Sequence, residues 1–290
     1  MLRHSGSEKD AEHPRAQGGL LVVVQARYES TRFPGKVLAP LLGQPMLLWQ
    51  LLRLQHLRTP HTLVVACPDT EGTHEQILPA LVPHGYTVEI VDGDPNDVLR
   101  RFAVIAERYQ AQEVVRLTGD TPLLDPAVVD ELIAYHHWYS VPRADHTGIA
   151  AEWPDGMDCE IVSWDALALA YAEASSAAER EHVTPFIWGT PDRFRCATLP
   201  CPLDLTTYQW SVDTPYDLTI VGQLLKRTLT RVGFGFTWQD LWLTLELFPL
   251  LKQQMLARPA RNRAYAIQVA AETGQAAQTW EQLRYGGAHG

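Results

Sequence analysis

Leu20-Leu21-Val22-Val23-Val24-Gln25-Ala26-Arg27-Tyr28-Glu29-Ser30-Thr31-Arg32-Phe33-Pro34-Gly35-Lys36 is the stretch on which the reading of this chain turns. Leu20 to Ala26, led by Val22, Val23 and Val24, has the pattern of a strand buried on both faces of a parallel sheet. Directly after it come Arg27, Ser30, Arg32 and Lys36, so positive charge gathers where the backbone N–H groups of a turn also converge. Such a nest suits phosphate oxygens. Ser30 and Thr31 add hydroxyl donors, Gly35 allows close backbone approach, and a guanidinium can grip phosphate with two parallel hydrogen bonds. The segment is not a Walker P-loop, because Ser30 stands where the first glycine would be and Val37 follows the lysine.

Working outward, strands alternate with helices. Pro45 to Leu57 reads as an apolar helix, Thr62 to Ala66 as a strand, Glu71 to Leu81 as a helix and Thr87 to Val91 as a strand; Val98 to Tyr109 then reads as a helix and Glu113 to Leu117 as a strand. Repeated βαβ units predict an α/β fold, Rossmann-like, with a mostly parallel sheet and helices on both faces; ligands then sit beyond the carboxyl ends of the strands. From about Asp145 the pattern loosens. Cys159 to Val162 reads as a strand, Ala166 to Ala174 and Glu181 to Trp188 as helices, Trp210 to Asp213 as a late strand and Thr214 to about Leu229 as a helix. Leu241 to Met255 predicts one further amphipathic helix. The expected division is a disordered tail at 1–18, a main domain at 19–235 with an acceptor or dimer region near 145–210, and a C-terminal helical extension at 236–290.

A formal charge of −10, from 24 Lys plus Arg against 34 Asp plus Glu, argues against nucleic acid or an anionic membrane as partner, so an anion site must be a local exception. Cys67, Cys159, Cys196 and Cys201 form no Cys-x-x-Cys pair, which signals neither zinc nor a disulfide framework. Polar residues interrupt the first eighteen positions, and no later run is long enough to span a bilayer. The expectation is a cytoplasmic protein.

Arg116-Leu117-Thr118-Gly119-Asp120-Thr121-Pro122-Leu123-Leu124-Asp125-Pro126 closes the fourth strand. Asp120, with Gly119 leaving room beside it, can hold Mg²⁺ that bridges phosphate oxygens; Asp125 reads as the N-cap of the helix that Pro126 begins. Trp210-Ser211-Val212-Asp213-Thr214-Pro215-Tyr216-Asp217-Leu218 taken alone makes Asp213 a helix cap and Asp217 a structural first-turn carboxylate. Asp92-Gly93-Asp94 has the look of an Asp-x-Asp metal pair, yet within the loop Gly93-Asp94-Pro95-Asn96-Asp97-Val98-Leu99 it reads either as ligand-facing or merely as a turn. Asp158, Arg180 and His182 suit an acceptor carrying a carboxylate, although capping and surface pairing explain them too; His136 and His137, at a helix end, are expected to be exposed.

Taken together, Ala26-Arg27-x-x-Ser30-Thr31-Arg32-x-Pro34-Gly35-Lys36 resembles the signature loop of the cytidylyltransferases that activate acidic sugars, in particular the spore-coat polysaccharide type, with the 3-deoxy-manno-octulosonate and acylneuraminate enzymes as more distant relatives. The likeness runs from about Leu20 to Leu229. It implies a nucleotide-diphospho-sugar transferase type of fold, and transfer of CMP from CTP to a small sugar-like acceptor with Mg²⁺ as cofactor. It also implies a homodimer and a role in surface polysaccharide or glycoconjugate biosynthesis. In that likeness Ala26, Arg27, Ser30, Arg32, Lys36 and Gly119 bind the nucleotide, Arg27, Lys36 and Asp120 are catalytic, and Asp120 with Asp213 holds the metal. Gly93 and Asp97 match a loop near the base and ribose, and Asp158, Arg180 and His182 match acceptor-side segments. The competing readings are the same fold transferring UMP or GMP, and a glycosyltransferase using Asp92 and Asp94 on a nucleotide-sugar donor.

Overall fold

The computed structural model describes residues 19–138 and 143–257. The expected tail at 1–18 and the end of the expected extension, 258–290, lie outside them. In chain order the elements are β1 (Leu20–Gln25), β2 (Pro40–Leu41), β3 (Gln44–Pro45), α1 (Met46–Leu54), β4 (Thr62–Pro68), α2 (Leu78–Leu81), β5 (Val88–Val91), α3 (Val98–Arg108), β6 (Glu113–Thr118) and α4 (Pro126–Trp138). They continue with β7 (His146–Ile149), β8 (Cys159–Ser163), α5 (Trp164–Glu173), α6 (Ala177–His182), α7 (Pro185–Trp188), β9 (Cys196–Leu199), α8 (Pro215–Val232), α9 (Trp238–Leu247) and α10 (Pro249–Leu256).

Alternation in β1 explains the layers. Leu20, Val22 and Val24 enter one hydrophobic cluster with α1, α8 and α9, while Leu21 and Val23 enter another with Leu99, Phe102 and Ile105 of α3. Successive strand side chains face opposite ways, so an unbroken apolar run is buried on both sides. Each Val or Leu so buried contributes roughly 1.5–3 kcal/mol. The seven-stranded sheet has the order β5-β4-β1-β6-β8-β7-β9. β5, β4, β1 and β6 are parallel; β8 runs antiparallel to β6 and to β7, and β9 runs parallel to β7. The sheet is therefore mostly parallel with helices on both faces, and β1 pairs Gln25 with Thr118 at its carboxyl end, which brings the two loops after these strands together.

Several local expectations are corrected. Glu181 to Trp188 is not one helix: α6 and α7 are separated at Val183, where φ is 74° and ψ −57°. The Thr184 N–H donates to the His182 carbonyl at 2.9 Å across that residue, a strained γ-turn, and Pro185 then begins α7. Leu241 to Met255 is likewise two helices, because Pro249 lacks the N–H that would continue α9. Trp210 to Asp213 is not a strand but a buried coil, held by single bonds such as Val212 N–H to the Asp120 carbonyl at 2.9 Å. His136 is fully buried, sharing a hydrogen bond of 2.8 Å with the Thr147 hydroxyl, and half-buried His137 reaches Glu113; the end of α4 rests on the sheet rather than in solvent.

The described part of the C-terminal segment packs into the same core as β1. Phe236, Trp238, Leu241, Leu245, Leu251 and Met255 share its cluster. The buried Arg53 guanidinium donates to the carbonyls of Leu124 and Phe236 and lies 3.6 Å from the Phe236 ring centroid, an arrangement in which cation–π attraction replaces lost water. Asp125 caps α4 through the Ala127 N–H as expected, and its other oxygen accepts the Trp238 N–H at 2.8 Å, which ties α9 to the loop after β6.

Candidate active site

The basic loop folds around one carbonyl. Tyr28 O accepts the N–H groups of Ser30 at 3.0 Å and Gly35 at 2.8 Å, and Gly35 has φ 70° with the Tyr28 ring lying 3.1 Å from where a Cβ would stand. Glycine meets both constraints at once. Lys36 then starts a short 3₁₀ turn and points back toward the sheet. Gly119 N–H donates to Gln25 O at 2.9 Å, and a Cβ there would sit 3.0 Å from that same oxygen, so the loop after β6 lies directly against the end of β1.

This contact delivers Asp120 to Lys36. Lys36 Nζ lies 2.7 Å from Asp120 Oδ2 and 2.9 Å from Asp213 Oδ1, and donates to the Val212 carbonyl at 3.0 Å. Asp213 also receives Arg32 at 3.0 Å. Burial, the largest influence on Lys36, lowers its pKa, but the fields and hydrogen bonds of the two aspartates outweigh it and hold the ammonium above its ordinary range. Burial similarly pushes Asp120 up, and Lys36 more than reverses this, so the carboxylate stays ionised. Asp213 is presented by a capping box: Thr214 accepts the Asp217 N–H, while the buried Asp217 accepts the N–H groups of Asp213 and Thr214. Asp217 is thus structural, as its position in the first turn suggests.

Two oxygens bonded to one ammonium are no farther apart than the two bonds laid end to end. Near them Asp155 has its pKa pushed up to about 8, first by burial, then by Asp158, with smaller contributions from Asp120 and Asp213 against a Ser211 hydrogen bond. Among the described residues no group of three or more His, Cys, Asp or Glu side chains is arranged to hold a metal ion. Asp120 and Asp213 are the two carboxylates that the Lys36 ammonium brings together, and two carboxylates completed by substrate phosphates fit what magnesium accepts.

Ala26, Arg27, Ser30, Arg32, Lys36, Gly119, Asp120, His182 and Asp213 all line one cleft, whose volume is about 230 Å³. Gly93, Asp97, Asp158 and Arg180 are not part of its lining. Asp97 caps α3 through the Arg100 N–H at 3.0 Å and pairs with Arg180 at 2.6 Å. Arg180 is further occupied by the Tyr171 carbonyl and ring. Asp158 turns back onto the Gly156 N–H at 3.0 Å. In the Asp92-Gly93-Asp94 segment, Asp92 pairs with Arg100 and Asp94 accepts the Asn96 N–H, so the segment forms a turn clamped to α3. Thr118, Gln25, Glu181 and Arg101 also line the cleft. The sequence singled out none of them; Arg101 had the only legible signal, a basic residue in the first turns of a helix that follows a strand.

Residues 21–215 match a family profile described as cytidylyltransferase. The chain is 30% identical over 220 residues to the spore coat polysaccharide biosynthesis protein SpsF of Bacillus subtilis (strain 168), which covers 73% of this chain and 88% of that protein. It is 36% identical over 115 residues to the 3-deoxy-manno-octulosonate cytidylyltransferase of Geobacter sulfurreducens, covering 40% of this chain and 44% of that one. In fold it is similar to a cytidylyltransferase from Leptospira borgpetersenii serovar Hardjo-bovis, with a TM-score of 0.72, 24% identity and coverage of 83% and 98%.

Proposed function

This chain belongs to the cytidylyltransferase family, and from that premise we propose that it transfers CMP from CTP to a sugar acid or related small acceptor and releases pyrophosphate. The observation that carries the proposal is the single ammonium of Lys36 shared by Asp120 and Asp213 in a cleft walled by the loop of Arg27, Ser30 and Arg32. The cleft thereby offers cations for a triphosphate and two carboxylates for its counter-ion within one small volume.

In this reading Asp120 and Asp213 hold magnesium, which when bound neutralises charge on the phosphates. Lys36, released from the carboxylates as that charge arrives, turns its ammonium to the leaving pyrophosphate. Arg27 and Arg32 bind phosphate oxygens, and Ser30 orients them through its hydroxyl. An acceptor oxygen attacks the α-phosphorus as the bond to pyrophosphate breaks. The protein acts by alignment and by fixed charge where negative charge develops. His182 is the acceptor-side residue with a place in the cleft, since Arg180 is committed to Asp97. The clamped turn at Asp92 and Asp94 removes support from the glycosyltransferase alternative.

Pyrophosphate release from CTP, UTP and GTP with magnesium, measured across a panel of sugar acids, tests the proposal. Release confined to CTP and one acceptor class is the expected result. Turnover with a preformed nucleotide-sugar and none with CTP would refute it.

A further inference from the structure

The cations of the cleft divide into two kinds. Lys36 and Arg32 are neutralised by Asp120 and Asp213. Arg27 and Arg101 are not. Arg101, only 4% exposed, donates from Nη2 to the Pro95 carbonyl at 2.9 Å, and its buried Nε has no partner. Arg27 donates from Nη1 to Asn96 Oδ1 at 3.3 Å. Both acceptors are neutral. Of the carboxylates at 92–97, Asp97 pairs with Arg180, Asp92 with Arg100 and Asp94 accepts the Asn96 N–H, and no carboxylate among the described residues forms an ion pair with either guanidinium. Burial lowers the Arg101 pKa most strongly; Cys67 opposes this, Arg27 lowers it further, and Asp97 and Asp94 raise it by less, so the shift stays downward.

A buried guanidinium facing a second one, in a chain with ten surplus negative charges, is costly unless an anion completes it. We propose that Arg101 and Arg27 form an anion clamp for the phosphates of the bound nucleotide, aimed from the 93–97 loop by the Pro95 carbonyl and the Asn96 side chain. The open Nε and the fork of Arg101 suit a polyphosphate oxygen. The 93–97 loop then acts by holding two arginines in register, and the cleft acquires a cationic half at Arg27 and Arg101 beside a half already neutralised at Lys36 and Arg32. The identity of the anion rests on the transfer reading above; the clamp itself does not.

The test is titration of the metal-free full chain with inorganic pyrophosphate, and separately with CMP, by calorimetry. Arg101→Gln is expected to weaken pyrophosphate at least about tenfold, the worth of one charge-assisted hydrogen bond, and CMP by less. Asn96→Ala, which frees Arg27, is expected to weaken pyrophosphate a few-fold. Arg101→Gln that melts like the wild type and binds pyrophosphate equally well would overturn the clamp. If Arg101→Gln does not fold, Arg101→Lys keeps the cation without the fork, and unweakened pyrophosphate binding by that variant overturns it too. Pyrophosphate that CTP fails to displace occupies a place other than the nucleotide cleft and also overturns it. A protein that binds pyrophosphate through Arg101 yet releases none from CTP would refute the transfer reading and leave the clamp standing.

Discussion

Lys36 and Asp120, 84 residues apart in the chain, meet at 2.7 Å, and the same ammonium lies 2.9 Å from Asp213. With Lys36 Nζ on a side chain only 13% exposed, this is not a solvated surface pair, whose worth would be slight. Lys36→Ala leaves two carboxylates facing each other without the cation they share, with only the exposed Arg32 beside Asp213. Pyrophosphate release is expected to fall at least about a hundredfold, the size of effect seen when one preorganised charge stabiliser is removed. Added magnesium should raise the melting temperature of Lys36→Ala more than that of the wild type, because the ion then fills the position of the missing cation; equal shifts would count against a shared carboxylate site.

Asp120→Asn and Asp213→Asn each keep the shape and remove one charge. Both should raise the magnesium concentration needed for half-maximal turnover and lower the maximum by about a hundredfold or more, with Lys36 still present. A magnesium titration of each variant reads this directly. Asp217→Asn, which disturbs only the capping box that presents Asp213, should cost about 1 kcal/mol of stability and a smaller share of activity.

Gly119→Ala tests the close approach of the two loops. A Cβ there stands 3.0 Å from the Gln25 carbonyl and 3.3 Å from Leu47 Cδ1, so the strand end must shift. Overpacking of this size costs about 1–3 kcal/mol in thermal or denaturant unfolding. Because Asp120 is the next residue, a shift of a few tenths of an ångström at the loop should also lower kcat, by about tenfold, since the effect of misplacement reaches about a hundredfold only near 1 Å. A variant with normal kcat would show that the approach is not needed to place Asp120.

Asp155 sets a pH dependence. Its folded pKa of about 8 lies above its ordinary 3.8, so between those values the folded chain holds a proton that the unfolded chain has lost. The resulting stability is complete below about 3.8 and is lost as pH rises through about 8, at no more than ~1.4 kcal/mol per pH unit. Melting curves from pH 5 to 9 without divalent metal should therefore decline more steeply for the wild type than for Asp155→Asn. Parallel curves would contradict the shift.

Much of this was readable from residue order, and the reason is physical. The Val22-Val23-Val24 run can be buried on both faces only in a covered sheet, and β1 lies between β4 and β6 with a cluster on either face. Asp120 sits two residues beyond the end of β6, and Gly35 and Lys36 lie in the loop that follows β1, where ligands of a parallel sheet gather. Helix breaks were harder to see. The turn at Val183 places a β-branched residue at positive φ, which no propensity suggests and which the surrounding packing enforces.

By itself, then, the sequence determined which segments are buried, which loop gathers cations and that Asp120 stands at a strand end, because these follow from periodicity and short-range chemistry. Only the tertiary structure decided which charges are spoken for. Asp97 and Arg180, both plausible ligands in isolation, neutralise each other at 2.6 Å across 83 residues of chain, while Arg101, an ordinary helical arginine in the sequence, is buried beside Arg27 without a carboxylate. Charge pairing acts through space over a few ångströms, and chain separation carries no information about it until the fold has closed.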